Sequence, residues 1–284
     1  MGEQFAVVGD LQETSRIEFW REDNARERTL VIRHIAEAKP SFVVLLGDLV
    51  FDGSSRSHWR RFDALIAPLR EAGIPMVPIP GNHDYWLGWH RKLSHYDARF
   101  PELGAQRWHR RRFGPVELVF LDSNLFAQTR SKWSEQIEWF RGALETADCD
   151  PSCRATLVFV HHPPFTNSSV TGDSAVVARS FLEPFVASKK TRAMLSGHVH
   201  SYERFERDGK TFVVSGGGGG PRVRLFGEKR RRHRDLYGAP PGSRRPCHYL
   251  SFGLGEALLS VRVLGVDKGS TQFSEMEAFE LSLS

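Results

Sequence analysis

Five short stretches of the sequence carry side chains that hold metals or move protons. They are Gly9-Asp10-Leu11-Gln12, Gly47-Asp48, Gly81-Asn82-His83-Asp84, His161-His162-Pro163-Pro164 and Gly197-His198-Val199-His200. Taken singly, each reads as a turn, because Asp and Asn bond their own backbone and Gly accepts a positive φ. Taken together, two Asp, one Asn and three or four His make a set of oxygen and imidazole ligands suited to Zn, Fe and Mn. No cysteine joins the set, which argues against a structural zinc site. Six or seven such side chains exceed the need of one tetrahedral ion and fit two ions sharing a carboxylate. Two ions about 3.5–4 Å apart clamp the attacking and leaving oxygens of a phosphoryl displacement. A water held by such an ion ionises near ~7 instead of near about 16.

These stretches fall where strands are expected to end. Apolar runs at Gln4–Val8, Phe42–Leu46, Pro75–Ile79, Glu117–Leu121, Thr156–Val160 and Arg192–Leu195 read as buried strands. Helices are expected over Asn24–Ala38, Ser57–Glu71, Ser131–Glu145 and Ala175–Ser188. The third is the clearest, with Trp133, Ile137, Phe140 and Leu144 on one stripe. Strand–helix alternation predicts an α/β architecture. Beyond Leu195 the pattern changes to strands without helices between them, at Thr211–Ser215, Tyr249–Phe252, Ala257–Leu264 and Phe279–Leu283. The expected product is a pair of mixed sheets with helices outside. Ligands of open α/β sheets bind at the carboxyl ends of strands, so the five turns are expected to converge on one crevice. Residues 1–284 read as one domain, with a Gly/Pro/Arg-rich loop insertion around 216–246.

The ordered set Asp10, Gly47-Asp48, Gly81-Asn82-His83-Asp84, His161 and Gly197-His198-Val199-His200 resembles the calcineurin-like metallophosphoesterase superfamily. Gly197–Arg204 and Asp122-Ser123-Asn124 further resemble its purple acid phosphatase branch. The resemblance covers residues 10–200 and implies two stacked mixed sheets flanked by helices, a four-layer αββα sandwich. It implies two divalent cations (Mn, Fe, Zn or Mg) and hydrolysis of phosphate esters by a metal-bound hydroxide. Asp48 would bridge the cations, Asp10 and His200 would hold the first, and Asn82, His161 and His198 the second. His83, positioned by Asp84, would protonate the leaving oxygen or bind the phosphate; an imidazolium beside a carboxylate is oriented and poised near neutral pH. Of the adjacent histidines, His161 has the family's His-x-Pro spacing, which leaves His162 facing substrate or packed.

The chain departs from the family pattern twice. The first motif commonly reads Asp-x-His, whereas here Gln12 offers an amide oxygen, a weaker ligand. Purple acid phosphatases have a metal-binding tyrosine where Phe51 stands, so a colourless protein is expected. Tyr202 and Arg204 follow the last histidine pair and are candidates for substrate contact, the alternative being a strand-exit turn braced by an Arg–Glu pair. Trp86, Trp89, His90 and His95 follow the third motif as a substrate-facing wall or, preferably, as packing. Gly216–Gly220 lacks the Lys and Ser/Thr of a P-loop.

The chain has 284 residues, 40% hydrophobic and 26% charged, with a net charge of +5. This composition excludes wholesale disorder, collagen and coiled coil. No apolar run approaches the ~18 residues of a membrane span. Three cysteines and the absence of a basic leader point to a cytoplasmic location, and the lack of a spanning run to no membrane partner. The charge is concentrated: Arg222–Arg245 holds nine Lys/Arg and two acids, +7 in all, and the remainder nets −2. A second cluster is Arg107 with Arg110-Arg111-Arg112. The expected partner is a phosphorylated small molecule, nucleotide or phosphoprotein, with monoesters slightly preferred. A phosphodiesterase or nuclease with the basic arm on a polyanion is the alternative, though no aromatic residue interleaves Arg230–Arg234 for base stacking. A non-catalytic binding module on the same scaffold is the third reading.

Overall fold

Phe5 and Val7 leave the first strand on one side and Ala6 and Val8 on the other, and this alternation sets the layering of the molecule. The computed structural model describes residues 3–86, 93–104, 106–238, 240 and 242–284. Its strands are β1 (Gln4–Val8), β2 (Val43–Leu45), β3 (Met76–Pro78), β4 (His109–Phe113), β5 (Val116–Phe120), β6 (Ala155–Val160), β7 (Thr191–Ser196), β8 (Tyr202–Arg207), β9 (Lys210–Ser215), β10 (Cys247–Leu254), β11 (Leu258–Val266) and β12 (Phe273–Ser282). They form two six-stranded mixed sheets, ordered β12-β11-β10-β1-β2-β3 and β4-β5-β6-β7-β9-β8.

Phe5, Val7 and Val44 of the first sheet meet Leu118, Phe120, Leu157 and Phe159 of the second in the central core. There Phe5 stacks on Phe42 and Phe252, with ring centroids 5.0 and 4.7 Å apart. Truncating so central a ring costs about 3–5 kcal/mol. The outer face of the first sheet packs on α1 (Ala25–Ala38), α2 (Arg56–Leu65) and α3 (Ala67–Glu71) through Val31, Ile35, Trp59, Phe62 and Leu69. A short α4 (Ser94–Asp97) adds Tyr96 to that layer. The outer face of the second sheet packs on α5 (Arg130–Cys149), α6 (Ala175–Val177) and α7 (Glu183–Ala187) through Trp133, Phe140, Val177 and Phe185. The result is the four-layer αββα sandwich. No helix among the described residues is long and apolar enough to cross a membrane.

Several element bounds differ from expectation, for physical reasons. The helix expected over Ser57–Glu71 breaks at Ile66, where Pro68 enters the first turn of α3. The one expected over Ala175–Ser188 passes through a π turn at Ala178–Leu182 ahead of Pro184. The Arg110-Arg111-Arg112 cluster is an edge strand. Arg110 and Arg112 reach Glu117, Arg112 also reaches Asp150, and Arg111 lies 4.4 Å over the Phe42 ring. β8 is joined to β9 by Asp208-Gly209, both at positive φ, a two-residue hairpin turn.

β1–β2–β3 are mutually parallel, as are β5–β6–β7–β9. Their carboxyl ends therefore emerge together, and each of the five motif turns leaves one of them.

Candidate metal centre

Asp10, Asp48 and His198 all stand at positive φ, at 60°, 52° and 67°. Left-handed backbone is unfavourable for residues with a Cβ and persists where surrounding structure enforces it, commonly at functional sites. Here the turns are laced to one another. The Asp10 and Gln12 N–H groups donate to the Gly47 and Asp48 carbonyls at 3.0 and 2.9 Å, and the Gly197 N–H to the His161 carbonyl at 3.0 Å. A Cβ at Gly81 would fall 2.2 Å from the Asp48 carboxylate and 2.8 Å from the His161 ring, so only glycine fits there.

Two clusters of ligand atoms result. Asp10, Asp48 and His200 form one, and His161, His162 and His198 the other, with the atoms in each within 4.8 Å of one another. Gln12 and Asn82 complete the picture. Gln12 Nε2 lies 2.9 Å from His200 Nε2 and 3.4 Å from Asp48 Oδ2, and Asn82 Oδ1 lies 3.1 Å from His161 Nε2. Asp48 stands between the clusters, with Oδ2 3.4 Å from His161 Nε2.

Two histidines are oriented by backbone carbonyls. His161 Nδ1 donates to Leu46 O at 2.7 Å and His200 Nδ1 to Pro221 O at 2.9 Å. Their Nε2 atoms therefore carry the lone pairs; that of His161 faces the oxygens of Asp48 and Asn82, whereas that of His200 takes the Gln12 amide at 2.9 Å, with Asp10 Oδ1 3.5 Å away. Acceptors facing acceptors in a buried place require a proton or a cation between them. Asp10 Oδ1, Gln12 Oε1 and His198 Nδ1 are also buried without hydrogen-bond partners. This donor set fits divalent cations.

The electrostatics agree. Burial disfavours a charged His161, but the Asp48 carboxylate outweighs it and lifts the ring to about 9. Burial likewise acts against the Asp48 charge, and His161 and His83 overcome it, holding Asp48 well below the usual carboxylate range. Burial raises Asp10. Burial, then His161, push His198 down to about 3, and burial drives His162 well below its ordinary value. His198 is thus a neutral imidazole, the form that binds metal.

Not every expected contact is present. Asp84 does not position the His83 ring. Its carboxylate accepts the N–H groups of Leu49 at 3.0 Å and Gly81 at 2.8 Å, tying the second turn to the third. Tyr202 and Arg204 do not face the site either. Tyr202 is fully buried and donates to Glu277 Oε2 at 2.6 Å, and Arg204 forks onto Glu277 Oε1 at 2.6 and 3.0 Å. This is the Arg–Glu brace, made to β12 of the other sheet. Trp86 packs on the His83 ring with centroids 4.4 Å apart, and His95 lies in α4. Trp89 and His90 lie outside the described residues.

Sequence reasoning singled out Asp122-Ser123-Asn124 as a family resemblance but gave these residues no role, and they aim the side chains of the site. Ser123 Oγ lies 2.8 Å from His162 Nδ1 and accepts the His162 N–H at 3.0 Å. Asn124 Nδ2 donates to Pro80 O at 2.9 Å, and Tyr85 Oη to Asp122 Oδ2 at 2.7 Å, fixing the third turn from below. The available signal was that Asp122-Ser123-Asn124 also leaves the carboxyl end of a parallel strand, β5.

The model of the calcineurin-like phosphoesterase family matches residues 4–202, the span that contains all five motif turns. The chain belongs to the calcineurin-like phosphoesterase family. Among curated members, it is 26% identical over 220 residues to purple acid phosphatase 1 of Ipomoea batatas, covering 72% of this chain and 43% of that one. It is 29% identical over 179 residues to a probable cyclic nucleotide phosphodiesterase of Synechococcus, covering 60% and 62%. The chain spans about half the length of the curated relatives it matches. Its fold matches that of a purple acid phosphatase from yellow lupin seeds with a TM-score of 0.70 at 16% identity, over 99% of this chain and 54% of the other. The phosphoesterase turns thus sit on the sandwich that the family resemblance implied.

Proposed function

We propose that this chain is a metal-dependent phosphoric ester hydrolase with a dinuclear centre, acting by preference on monoesters. The observation that carries the reading is the buried His161, whose Nε2 lone pair faces the Asp48 carboxylate and the Asn82 amide oxygen, together with the buried, unpartnered Asp10 Oδ1. Asp10, Gln12, Asp48 and His200 would hold one cation, and Asp48, Asn82, His161 and His198 the other. Bound there, divalent cations supply Lewis-acid polarisation of a phosphoryl oxygen and a water acidic enough to ionise near neutral pH. His83 keeps its Nδ1 proton on Phe51 O, so Nε2 is the atom that would hand a proton to the leaving oxygen. His162, held by Ser123, would bind the phosphate. Asp84 contributes by locking Leu49 and Gly81, which fixes Asp48 and Asn82 relative to each other. The substrate class is a phosphorylated small molecule, nucleotide or phosphoprotein.

Metal quantification alongside a panel of aryl monoester, aryl diester, cyclic nucleotide and nucleoside diphosphate tests this, with Mn, Zn, Fe and Mg supplied in turn. Two equivalents per chain and metal-dependent turnover are expected. Asp48→Asn should cost more than the ~10–100-fold in metal affinity typical of outer partners, because it serves both cations. Unchanged turnover of that variant would sink the assignment.

A phosphodiesterase is the second reading. It is favoured by the likeness to a probable cyclic nucleotide phosphodiesterase and by the basic Arg222–Arg245 segment. Faster turnover of the diester than of the monoester would select it. A non-catalytic scaffold, suggested by Gln12 beside His200, predicts at most one equivalent of metal.

A further inference from the structure

Ile17, Phe19 and Trp20 are 70%, 85% and 70% exposed, an unusual concentration of large apolar side chains on one turn. Phe19 and Trp20 stack edge to face, with ring centroids 5.2 Å apart, so they form a single knob. The base of the knob is held firmly. Ser15 caps the short 3-10 turn Arg16–Glu18, and Arg21 pairs with Glu18 at 2.6 Å. Glu22 takes Arg222 at 2.9 Å and Arg244 at 3.1 Å, and Asn24 Nδ2 donates to Gly220 O at 2.9 Å. Arg21 also donates to Pro221 O, the carbonyl that orients His200. The knob therefore rises from the rim of the metal centre beside the stem of the basic segment.

In that segment Arg222, Arg232, Arg244 and Arg245 are spent on local acids and carbonyls. Arg224, Lys229, Arg231 and Arg234 make no ion pair among the described residues, and Arg230 only stacks over Phe226 at 4.6 Å. The nearby acids Glu18, Glu22 and Asp235 are already paired, which leaves Glu228 as the one acid of the segment in no ion pair among the described residues. Val170, 68% exposed, stands on the loop that bridges to Arg224 and Leu225, so a second apolar tip flanks the same cations.

We propose that this rim docks peripherally on an anionic phospholipid surface, with Ile17, Phe19 and Trp20 entering the interface and the free cations of 224–234 lying on the headgroups. Aromatic and aliphatic tips beside Lys/Arg are the pattern of interfacial anchoring, and two weak signals together suffice where one does not. Self-association through the same face would set this cationic segment against its own copy. A specific protein partner typically needs about 800 Å² on each side, well beyond a knob of three side chains. The earlier expectation of no membrane partner rested on the lack of a spanning segment, and a surface contact needs none.

The test is flotation of the full chain with vesicles of phosphatidylcholine alone or with added phosphatidylglycerol. Partitioning should require the anionic lipid and fall as salt is raised. Phe19→Ser/Trp20→Ser should lower it about tenfold or more, with an unchanged melting temperature because both side chains are exposed. Each of Arg230→Gln, Arg231→Gln and Arg234→Gln should cost roughly fivefold or less. The proposal is overturned by equal flotation with both vesicle types or by a Phe19→Ser/Trp20→Ser variant that floats as well as the parent. It is equally overturned by light scattering that shows a dimer split by that variant, or by retention on single-stranded DNA or polyglutamate without flotation.

Discussion

His83 is aimed by the Phe51 backbone, its Nδ1 lying 2.7 Å from the Phe51 carbonyl oxygen. An acceptor on the main chain fixes the tautomer without adding a negative charge, so the ring is oriented while its Nε2 stays free for a proton. The Phe51 and Trp86 rings flank it at 5.2 and 4.4 Å.

His83→Ala should therefore show a leaving-group signature. Turnover of an alkyl phosphate should fall by about 10²–10⁴, the usual contribution of a positioned general acid. An aryl ester with an acidic phenol needs little protonation and should lose far less. Equal losses on both esters would assign His83 to phosphate binding instead.

The first cation position should respond to the amide at Gln12. Gln12→His restores an imidazole at the site where Gln12 Oε1 is buried and unpartnered, and it should tighten binding of the weaker cation. Isothermal titration with Mn checks this. The iron-loaded parent should be colourless, because Phe51 has no phenolate to give a charge-transfer band, and a visible band lost on reduction would contradict that.

Arg204→Ala should leave KM and kcat unchanged and lower stability by about 1–3 kcal/mol, since it strips a part-buried carboxylate of a charged partner. Glu277 would keep only the Tyr202 hydroxyl. Denaturant midpoints and a KM measurement together distinguish this brace from a substrate contact.

Glu203 supplies a pH dependence outside the metal centre. Burial raises it to about 7 despite hydrogen bonds from Thr166 Oγ1 at 2.5 Å and Asn167 N–H at 2.8 Å, with Asp235 and Arg245 nearby. Its folded value lies above its unfolded one, so between about 4.5 and 7 the folded state holds a proton that the unfolded chain has released. That proton is lost as pH rises, and this group's contribution to stability declines across the window and stays low above it. Glu203→Gln should remove up to ~3 kcal/mol of that decline. The difference in denaturant midpoint between variant and parent from pH 5 to pH 8 checks it, and a constant difference would refute it.

Much of the molecule was legible because its strands are buried on both faces. β1, β6 and β7 read as continuous apolar runs, and the ligand turns follow them directly. β4 was not legible. His109-Arg110-Arg111-Arg112-Phe113 has no apolar alternation, and its arginines are held by acids from β5 and from the end of α5. Asp208-Gly209 offered a hairpin signal that would have placed β8. Without it, Tyr202 and Arg204 looked like an extension of the histidine motif, whereas strand geometry carries both across to Glu277. Which carbonyl aims a histidine is also invisible in sequence, since Leu46, Phe51 and Pro221 act through atoms that every residue has.

Three of the candidate ligands stand in left-handed backbone, which constrains how this sequence can vary. Asp10, Asp48 and His198 occupy conformations that glycine enters freely, Asn, Asp and His at a modest cost, and β-branched residues scarcely at all. A library selected for folding alone would therefore drift at these three positions toward small, flexible residues and lose its ligands while keeping its shape. Survivors of such a selection would be sandwiches without chemistry. The same substitutions seen in a natural relative would mark a member that had given up catalysis and kept the scaffold.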